Sequence, residues 1–92
     1  MDVHRVDGQD RGDVFLYALS TCVWCRRTKA LLQELGVAYR YVDVDLVPPE
    51  EQEEVMAQVR RWNPHENFPT LVIRNERVII GYQPERIREA LA

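Results

Sequence analysis

Cys22 and Cys25 are the chain's only cysteines, and two residues separate them. The polar start of the chain does not resemble an export signal. In such a chain, a pair at this spacing indicates redox or metal chemistry before it indicates a structural disulfide. A disulfide that closed so short a loop would constrain the unfolded chain very little. We therefore expect the pair to act chemically.

The position of the pair favours a reactive thiolate at Cys22. An apolar run ends at Leu19, and a helical pattern begins at Cys22. The unpaired amides at a helix N-terminus stabilise negative charge, and the thiolate is the reactive form of cysteine. Cys25 lies one turn deeper, so we expect it to be more buried and to have the higher pKa. Arg26, four residues after Cys22, is predicted to add cationic stabilisation of the same thiolate.

This order of acidity predicts a division of labour between the two thiols. Cys22 attacks a substrate disulfide to form a mixed disulfide, and Cys25 then resolves it. Three alternatives stay open. The first is that two core cysteines lie together by chance. The second is a zinc site, for which only His4 and His65 remain as further ligands. The third is an iron–sulfur cluster shared between two chains.

A second motif, Phe68-Pro69-Thr70, lies far along the chain. Proline cannot donate a hydrogen bond to a strand ladder, so a proline at the first residue of a strand is informative. One interpretation is a strand-entry proline in the trans form, which most X-Pro bonds adopt. The other is a cis Phe68–Pro69 bond beside the cysteines, with neighbouring backbone groups free to pair with an extended substrate. Spacing alone does not choose between them.

The periodicity of the remaining chain predicts a β-α-β-α-β-β-α order. Strands are expected at 14–19, 37–45, 70–73 and 77–80, and helices at 22–35, at 48–62 and from residue 84. The first βαβ unit is expected to be parallel, and the final hairpin adds two antiparallel strands. We therefore predict a mixed four-stranded sheet with helices on its faces. Residues 1–12 are predicted to be a loosely held polar lead-in to a domain at 13–92.

Composition limits the classes of function. Ninety-two residues, 46% of them hydrophobic, allow one small domain. A net charge of −3 argues against a nucleic-acid partner, which would need a basic face. The apolar runs are far shorter than the roughly 20 residues of a membrane-spanning helix, so no membrane partner is expected. We expect a cytoplasmic monomer.

In their order along the chain, these motifs resemble the glutaredoxins, small members of the thioredoxin superfamily. The resemblance runs from about residue 13 to residue 92. It rests on Cys22-x-x-Cys25 opening a helix, Phe68-Pro69-Thr70 entering a hairpin, and Gly81 closing it. It implies a thioredoxin-like fold and thiol–disulfide oxidoreductase activity in electron transport and cell redox homeostasis. It also implies Cys22 as nucleophile, Cys25 as resolving thiol and Pro69 as a cis proline.

The resemblance also indicates a branch of the family. Glutathione-using members usually carry proline and tyrosine between the cysteines, where this chain has Val23 and Trp24. They often carry lysine where this chain has Leu19, and two glycines followed by an aspartate where it has 81–85, Gly-Tyr-Gln-Pro-Glu. These features are more similar to the NrdH-type redoxins that serve ribonucleotide reductase and draw electrons from thioredoxin reductase.

The resemblance implies a substrate-binding surface around the two thiols. Its predicted members are Thr21, Val23, Trp24, Phe68, Pro69, Thr70, Gly81, Tyr82 and Gln83. The expected partners are disulfide-containing proteins, with thioredoxin reductase or glutathione as the electron source. We expect no bound cofactor or metal beyond the redox-active cysteine pair, and glutathione is the alternative co-substrate.

Overall fold

A computed structural model describes residues 2–92; Met1, the first residue of the predicted lead-in, lies outside the described residues. Over the described range there are five strands and three α-helices. In chain order they are β1 (His4–Val6), β2 (Val14–Ala18), α1 (Val23–Glu34), β3 (Tyr39–Asp43), α2 (Pro49–Trp62), β4 (Thr70–Ile73), β5 (Arg77–Ile80) and α3 (Pro84–Leu91). The predicted end of the second long strand is instead a 3₁₀ turn, Val44–Leu46. None of the helices within residues 2–92 is long and apolar enough to cross a membrane.

The strands form one mixed sheet in the order β1-β3-β2-β4-β5. β2 and β3 are parallel and are joined through α1, as the sequence pattern predicts. β4 pairs antiparallel with β2 and with β5, so the predicted hairpin is also present. β2 is the middle strand, so the turn that joins it to α1 lies at the centre of the end of the sheet where β2 finishes.

The prediction of a four-stranded sheet and a loosely held lead-in was wrong, because residues 4–6 add a fifth strand. β1 pairs antiparallel with β3, with His4 opposite Tyr41 and Val6 opposite Tyr39. Gln9 extends this attachment through backbone bonds of 2.8 Å to Gly36 and to Ala38. The strand escapes detection because it is short, mostly exposed and held by backbone hydrogen bonds, which carry no hydrophobic pattern.

Two apolar clusters form the core, and β2 contributes side chains to both of them. Leu16 lies in the cluster that contains Leu32 of α1. Tyr17, the next residue, lies in the other cluster with Val55 of α2. Successive side chains of a strand point to opposite faces, so the continuous apolar run is explained by a strand that is covered on both sides. This central position holds the start of α1 rigidly.

We predict that Gly8→Ala destabilises the protein by about 1–3 kcal/mol. A Cβ at Gly8 would lie 2.6 Å from the carbonyl carbon of Val37 and 2.7 Å from the Gly36 oxygen, and backbone cannot move aside easily. Urea unfolding followed by circular dichroism measures the loss. The exposed control Arg11→Ala should change the free energy of unfolding by no more than about 0.5 kcal/mol. Equal stabilities of Gly8→Ala and the parent protein would contradict the close packing of this segment.

Candidate active site

Cys22 lies immediately before the first residue of α1. Cys22 is the N-cap, with an extended backbone (φ −87°, ψ 119°), and its Sγ accepts a hydrogen bond from the Cys25 amide at 3.2 Å. Its carbonyl oxygen accepts the first bond of the helix, from the Arg26 amide at 3.0 Å. A sulfur in this position replaces the usual N-cap oxygen and lies among the free amides of the first turn. The side chain is partly exposed, so an outside disulfide can reach it.

Cys25 lies beneath Cys22 and has a different environment. Its side chain is fully buried, at 0% exposure, in the cluster shared by α1 and α3. Burial chiefly, and then the hydrogen bond and charge of the neighbouring Cys22 thiol, raise the pKa of Cys25 to about 12. Both cysteines are free thiols. Cys25 is therefore a protonated thiol at neutral pH.

The cation that acts on the buried thiol is Lys29, which the sequence analysis did not identify. Lys29 is among the groups that lower the pKa of Cys25, against the larger effect of burial. Its Nζ lies 3.0 Å from Asp43 Oδ1 and 4.1 Å from the centroid of the Tyr41 ring. The available signal was its position four residues after Cys25, one helical turn along the same face.

Arg26, the predicted tuning residue, is exposed. Within residues 2–92 its guanidinium makes no hydrogen bond or ion pair. Its action on Cys22 stays a prediction.

Asp45 holds the turn that carries Cys22. Ser20 donates its amide to Asp45 Oδ1 at 2.8 Å and its hydroxyl to Oδ2. The hydrogen bond from the Ser20 hydroxyl is the largest of the effects that lower the pKa of Asp45. The Cys22 amide closes the same turn on Leu19 at 3.2 Å. Sequence reasoning missed Asp45 because 25 residues separate it from Ser20 and only the pairing of β2 with β3 brings them together.

The Phe68–Pro69 bond is cis, as the resemblance implied. A buried polar network holds the loop that carries it. Asn63, at 0% exposure, donates its side-chain amide to the Thr70 hydroxyl at 3.0 Å and to the Asn67 carbonyl at 3.0 Å. The Thr70 hydroxyl donates in turn to the Asn67 carbonyl at 2.8 Å. Thr70 is therefore fully engaged inside the protein and positions the loop, and Asn63 was not identified from the sequence.

A groove opens between α1 and the loop before β4. Its lining residues come from distant parts of the chain and enclose about 200 Å³; they are Trp24, Phe68, Pro69, Gly81 and Tyr82. The Trp24 and Tyr82 rings stack with centroids 5.8 Å apart, and Trp24 is 52% exposed. The Gly81 amide donates to the Pro69 carbonyl at 2.8 Å, which fixes the floor. These predicted substrate-binding residues are thus brought together.

The other predicted members of the surface lie around this groove. Thr21 and Val23 flank Cys22 and are exposed. Gln83 is partly buried and donates its side-chain amide to the Ile80 carbonyl at 2.6 Å. Over the described residues, neither backbone polar group of Phe68 has a hydrogen-bond partner. The groove therefore offers an apolar wall and a free N–H and C=O for an extended chain.

Residues 2–92 contain no group of three or more histidine, cysteine, aspartate or glutamate side chains that could hold a metal ion. His4 lies on β1, whereas His65 lies in the loop after α2.

A central mixed sheet with a Cys-x-x-Cys pair opening a helix, beside a proline that enters a strand, defines a thioredoxin-like thiol–disulfide oxidoreductase. The glutaredoxin family model matches residues 14–78. The chain belongs to the glutaredoxin family, whose members are thiol–disulfide oxidoreductases.

Three solved structures place the chain within this fold. The methanoredoxin of Methanosarcina acetivorans is 49% identical, with a TM-score of 0.89 over 92% of this chain and 90% of that one. The glutaredoxin of Methanosarcina mazei Go1 is 49% identical, with a TM-score of 0.89 over 98% and 87%. The NrdH-redoxin of Escherichia coli is 26% identical, with a TM-score of 0.62 over 84% and 92%. Comparison with the curated proteins gives no match.

We predict that alkylation of the reduced protein at pH 7 modifies Cys22 at least about a hundredfold faster than Cys25. Cys22 is partly exposed at the helix start, whereas Cys25 is buried and has a pKa of about 12. Mass spectrometry of peptides after timed iodoacetamide quenches gives both rates, with Cys22→Ser and Cys25→Ser as single-thiol controls. Equal rates, or faster labelling of Cys25, would contradict the roles assigned to the two thiols.

We predict that Asp45→Ala lowers the free energy of unfolding at pH 7 by about 0.5–1 kcal/mol, because the bonds from Ser20 are lost at an exposed site. The pKa of Asp45 is lowered in the folded protein, so its stabilising effect is present above the unfolded pKa of about 4 and is lost as the pH falls further. Urea unfolding at a series of pH values tests this. The exposed control Glu89→Ala should show no such pH-dependent difference, and a difference for Asp45→Ala that does not shrink as the pH falls below about 4 would refute the assignment.

Proposed function

We propose that this protein reduces disulfides in partner proteins by a dithiol mechanism. The observation that carries the proposal is the contrast between the two thiols. Cys22 is accessible and caps a helix, whereas Cys25 is fully buried one turn below it and stays protonated. Such a pair suits a first attack by Cys22 and a second, intramolecular attack by Cys25.

In the first step the Cys22 thiolate attacks one sulfur of the target disulfide. The bond between Cys22 and that sulfur forms as the target's own S–S bond breaks, and the second target sulfur leaves as a thiolate. The helix amides stabilise the Cys22 thiolate before the attack, and the partial exposure of its side chain admits the target.

In the second step Cys25 attacks the Cys22 sulfur. Two of the causes that raise the pKa of Cys25, the hydrogen bond to Cys22 and its charge, are removed once Cys22 is in a mixed disulfide. Cys25 then gives its proton to the released target thiolate. The Cys22–Cys25 bond forms, the mixed disulfide breaks, and the remaining target sulfur leaves as a thiolate that takes a proton from water. The target gains two electrons, and the cysteine pair is oxidised by the same two.

The groove supplies target binding in this proposal. The stacked rings of Trp24 and Tyr82 form its wall, and the free backbone groups of Phe68 can pair with an extended segment in the manner of an added strand. A target in this position presents its disulfide to Cys22, which packs against the same core cluster as Phe68 and Tyr82.

For the electron source we favour thioredoxin reductase over glutathione. Residues 81–85, which begin with Gly81, contain no second glycine and no aspartate. The side-chain amide of Gln83 already donates to the Ile80 carbonyl. Tyr82 is stacked on Trp24 and narrows the groove. Glutathione-dependent reduction is the competing function, and iron–sulfur cluster binding is a weaker third. The catalytic cycle needs a compartment that keeps thiols reduced, so we propose that the protein is cytoplasmic. We also propose that it is a monomer.

We predict that the reduced protein turns over insulin or another protein disulfide with thioredoxin reductase and NADPH, and that added glutathione is not required. NADPH consumption measures the rate. Cys22→Ser should abolish turnover, because no accessible nucleophile is left. Cys25→Ser should stop after one attack and accumulate a mixed disulfide, visible by mass spectrometry under non-reducing conditions.

Three other results would contradict the proposed dithiol mechanism. Glutathione-linked activity that survives Cys25→Ser, without any turnover by the reductase, would replace this proposal with the glutathione mechanism. Accumulation of a mixed disulfide at Cys25 rather than Cys22 would reverse the roles. A coloured protein with sulfide-linked absorption after anaerobic purification would favour the cluster function.

A further inference from the structure

Arg26 and Arg27 carry unbalanced positive charge next to the reactive thiol. Within residues 2–92 neither guanidinium lies within ion-pair distance of a carboxylate. The first turn of α1 contains no acidic residue. The neighbouring Lys29 differs from them, because it is paired with Asp43 at 3.0 Å. The protein's net charge is −3, so this cationic edge is a local feature.

Arg27 is held against the wall of the groove. Its guanidinium carbon lies 5.1 Å from the centroid of the Trp24 ring, and Trp24 in turn stacks on Tyr82 at 5.8 Å. An arginine that stacks on an aromatic ring keeps its N–H donors free at the edge of the plane. The charge is therefore both ordered and available to a partner.

A second cavity shares one wall, Tyr82, with the groove. It encloses about 400 Å³ and is lined by Arg27, Ala30, Leu31, Glu34 and Tyr82. Two charged residues, Arg27 and Glu34, line this cavity. Glu34 is already paired with Arg88 at 3.3 Å. Arg27 is thus the uncompensated charge of this cavity among the described residues. Its chemistry suits a carboxylate on an apolar stem.

We infer that the partner segment bound in the groove carries an acidic side chain beside the cysteine that Cys22 attacks, and that this side chain binds Arg27 in the second cavity. The inference rests on the proposed function and names its substrate class. Cys22 and Arg27 are five residues apart on α1, which is a rise of about 7–8 Å. An extended chain covers that distance in two or three residues. The preferred targets are therefore protein segments with Asp or Glu two or three residues from the cysteine.

The test uses disulfide-linked dimers of one extended peptide with a single cysteine. Glu, Gln or Lys is placed three residues before the cysteine in one series and three residues after it in another. Single-turnover reduction by the full-length reduced protein is followed by acid quench and mass spectrometry. In one of the two series we expect the Glu dimer to react about tenfold faster than the Lys dimer at low salt. The ratio should fall towards one at 0.5 M salt, where exposed charges are screened.

Variants of the protein assign this preference to one residue. Arg27→Gln should abolish the Glu-over-Lys ratio, and Arg27→Glu should invert it. Arg77→Glu is the matched control, since Arg77 is exposed at the start of β5 and the change in net charge is the same. It should keep the parent's ratio. Circular dichroism confirms that each variant is folded.

Two results would overturn the inference. One is equal reduction of the Glu and Lys dimers in both series at low salt, and the other is a Glu preference that survives Arg27→Glu. Uncharged bis(2-hydroxyethyl) disulfide separates this failure from failure of the proposed function. If the parent protein reduces that compound but has no charge preference, only the inference about acidic segments is wrong. If it reduces neither that compound nor any dimer, the proposed function itself is wrong.

Discussion

The proposed function depends on one interaction, the hydrogen bond from the Cys25 amide to the Cys22 sulfur at the start of α1. It makes Cys22 the helix cap and places its sulfur among the backbone amides of the first turn. The same geometry puts Cys25 one turn into the helix, where burial keeps it protonated. Two chemically identical side chains thereby have different exposure within a single helix turn.

The rest of the molecule keeps this cap in place and gives it a surface to work on. Asp45 fixes the turn before Cys22 through Ser20, and Asn63 fixes the loop that forms the opposite side of the groove. The cations of α1 divide into two kinds. Lys29 is paired and lies beneath the thiols, whereas Arg27 is stacked at the groove and free of carboxylates within the described residues.

Local patterns predicted much of this arrangement. The apolar run at the centre of the sheet, the helix that starts at the cysteine pair and the hairpin at 70–80 all have short-range signals, and each is present. β1 was missed because an exposed edge strand is specified by backbone hydrogen bonds, which the sequence does not display. Thr70 was predicted to bind substrate, but its side chain is fully buried and its hydroxyl donates to the Asn67 carbonyl inside the protein.

The amino-acid sequence by itself determined that two thiols lie one helical turn apart at the start of α1, because the spacing of residues along a helix sets their relative positions. Only the tertiary structure decided what surrounds them. Asp45, Tyr82 and the Phe68 backbone reach the site by the pairing of strands that are distant in the chain. Which cations are neutralised and which remain free is settled by the same long-range contacts, since a carboxylate acts only on a charge that the fold brings within a few ångströms.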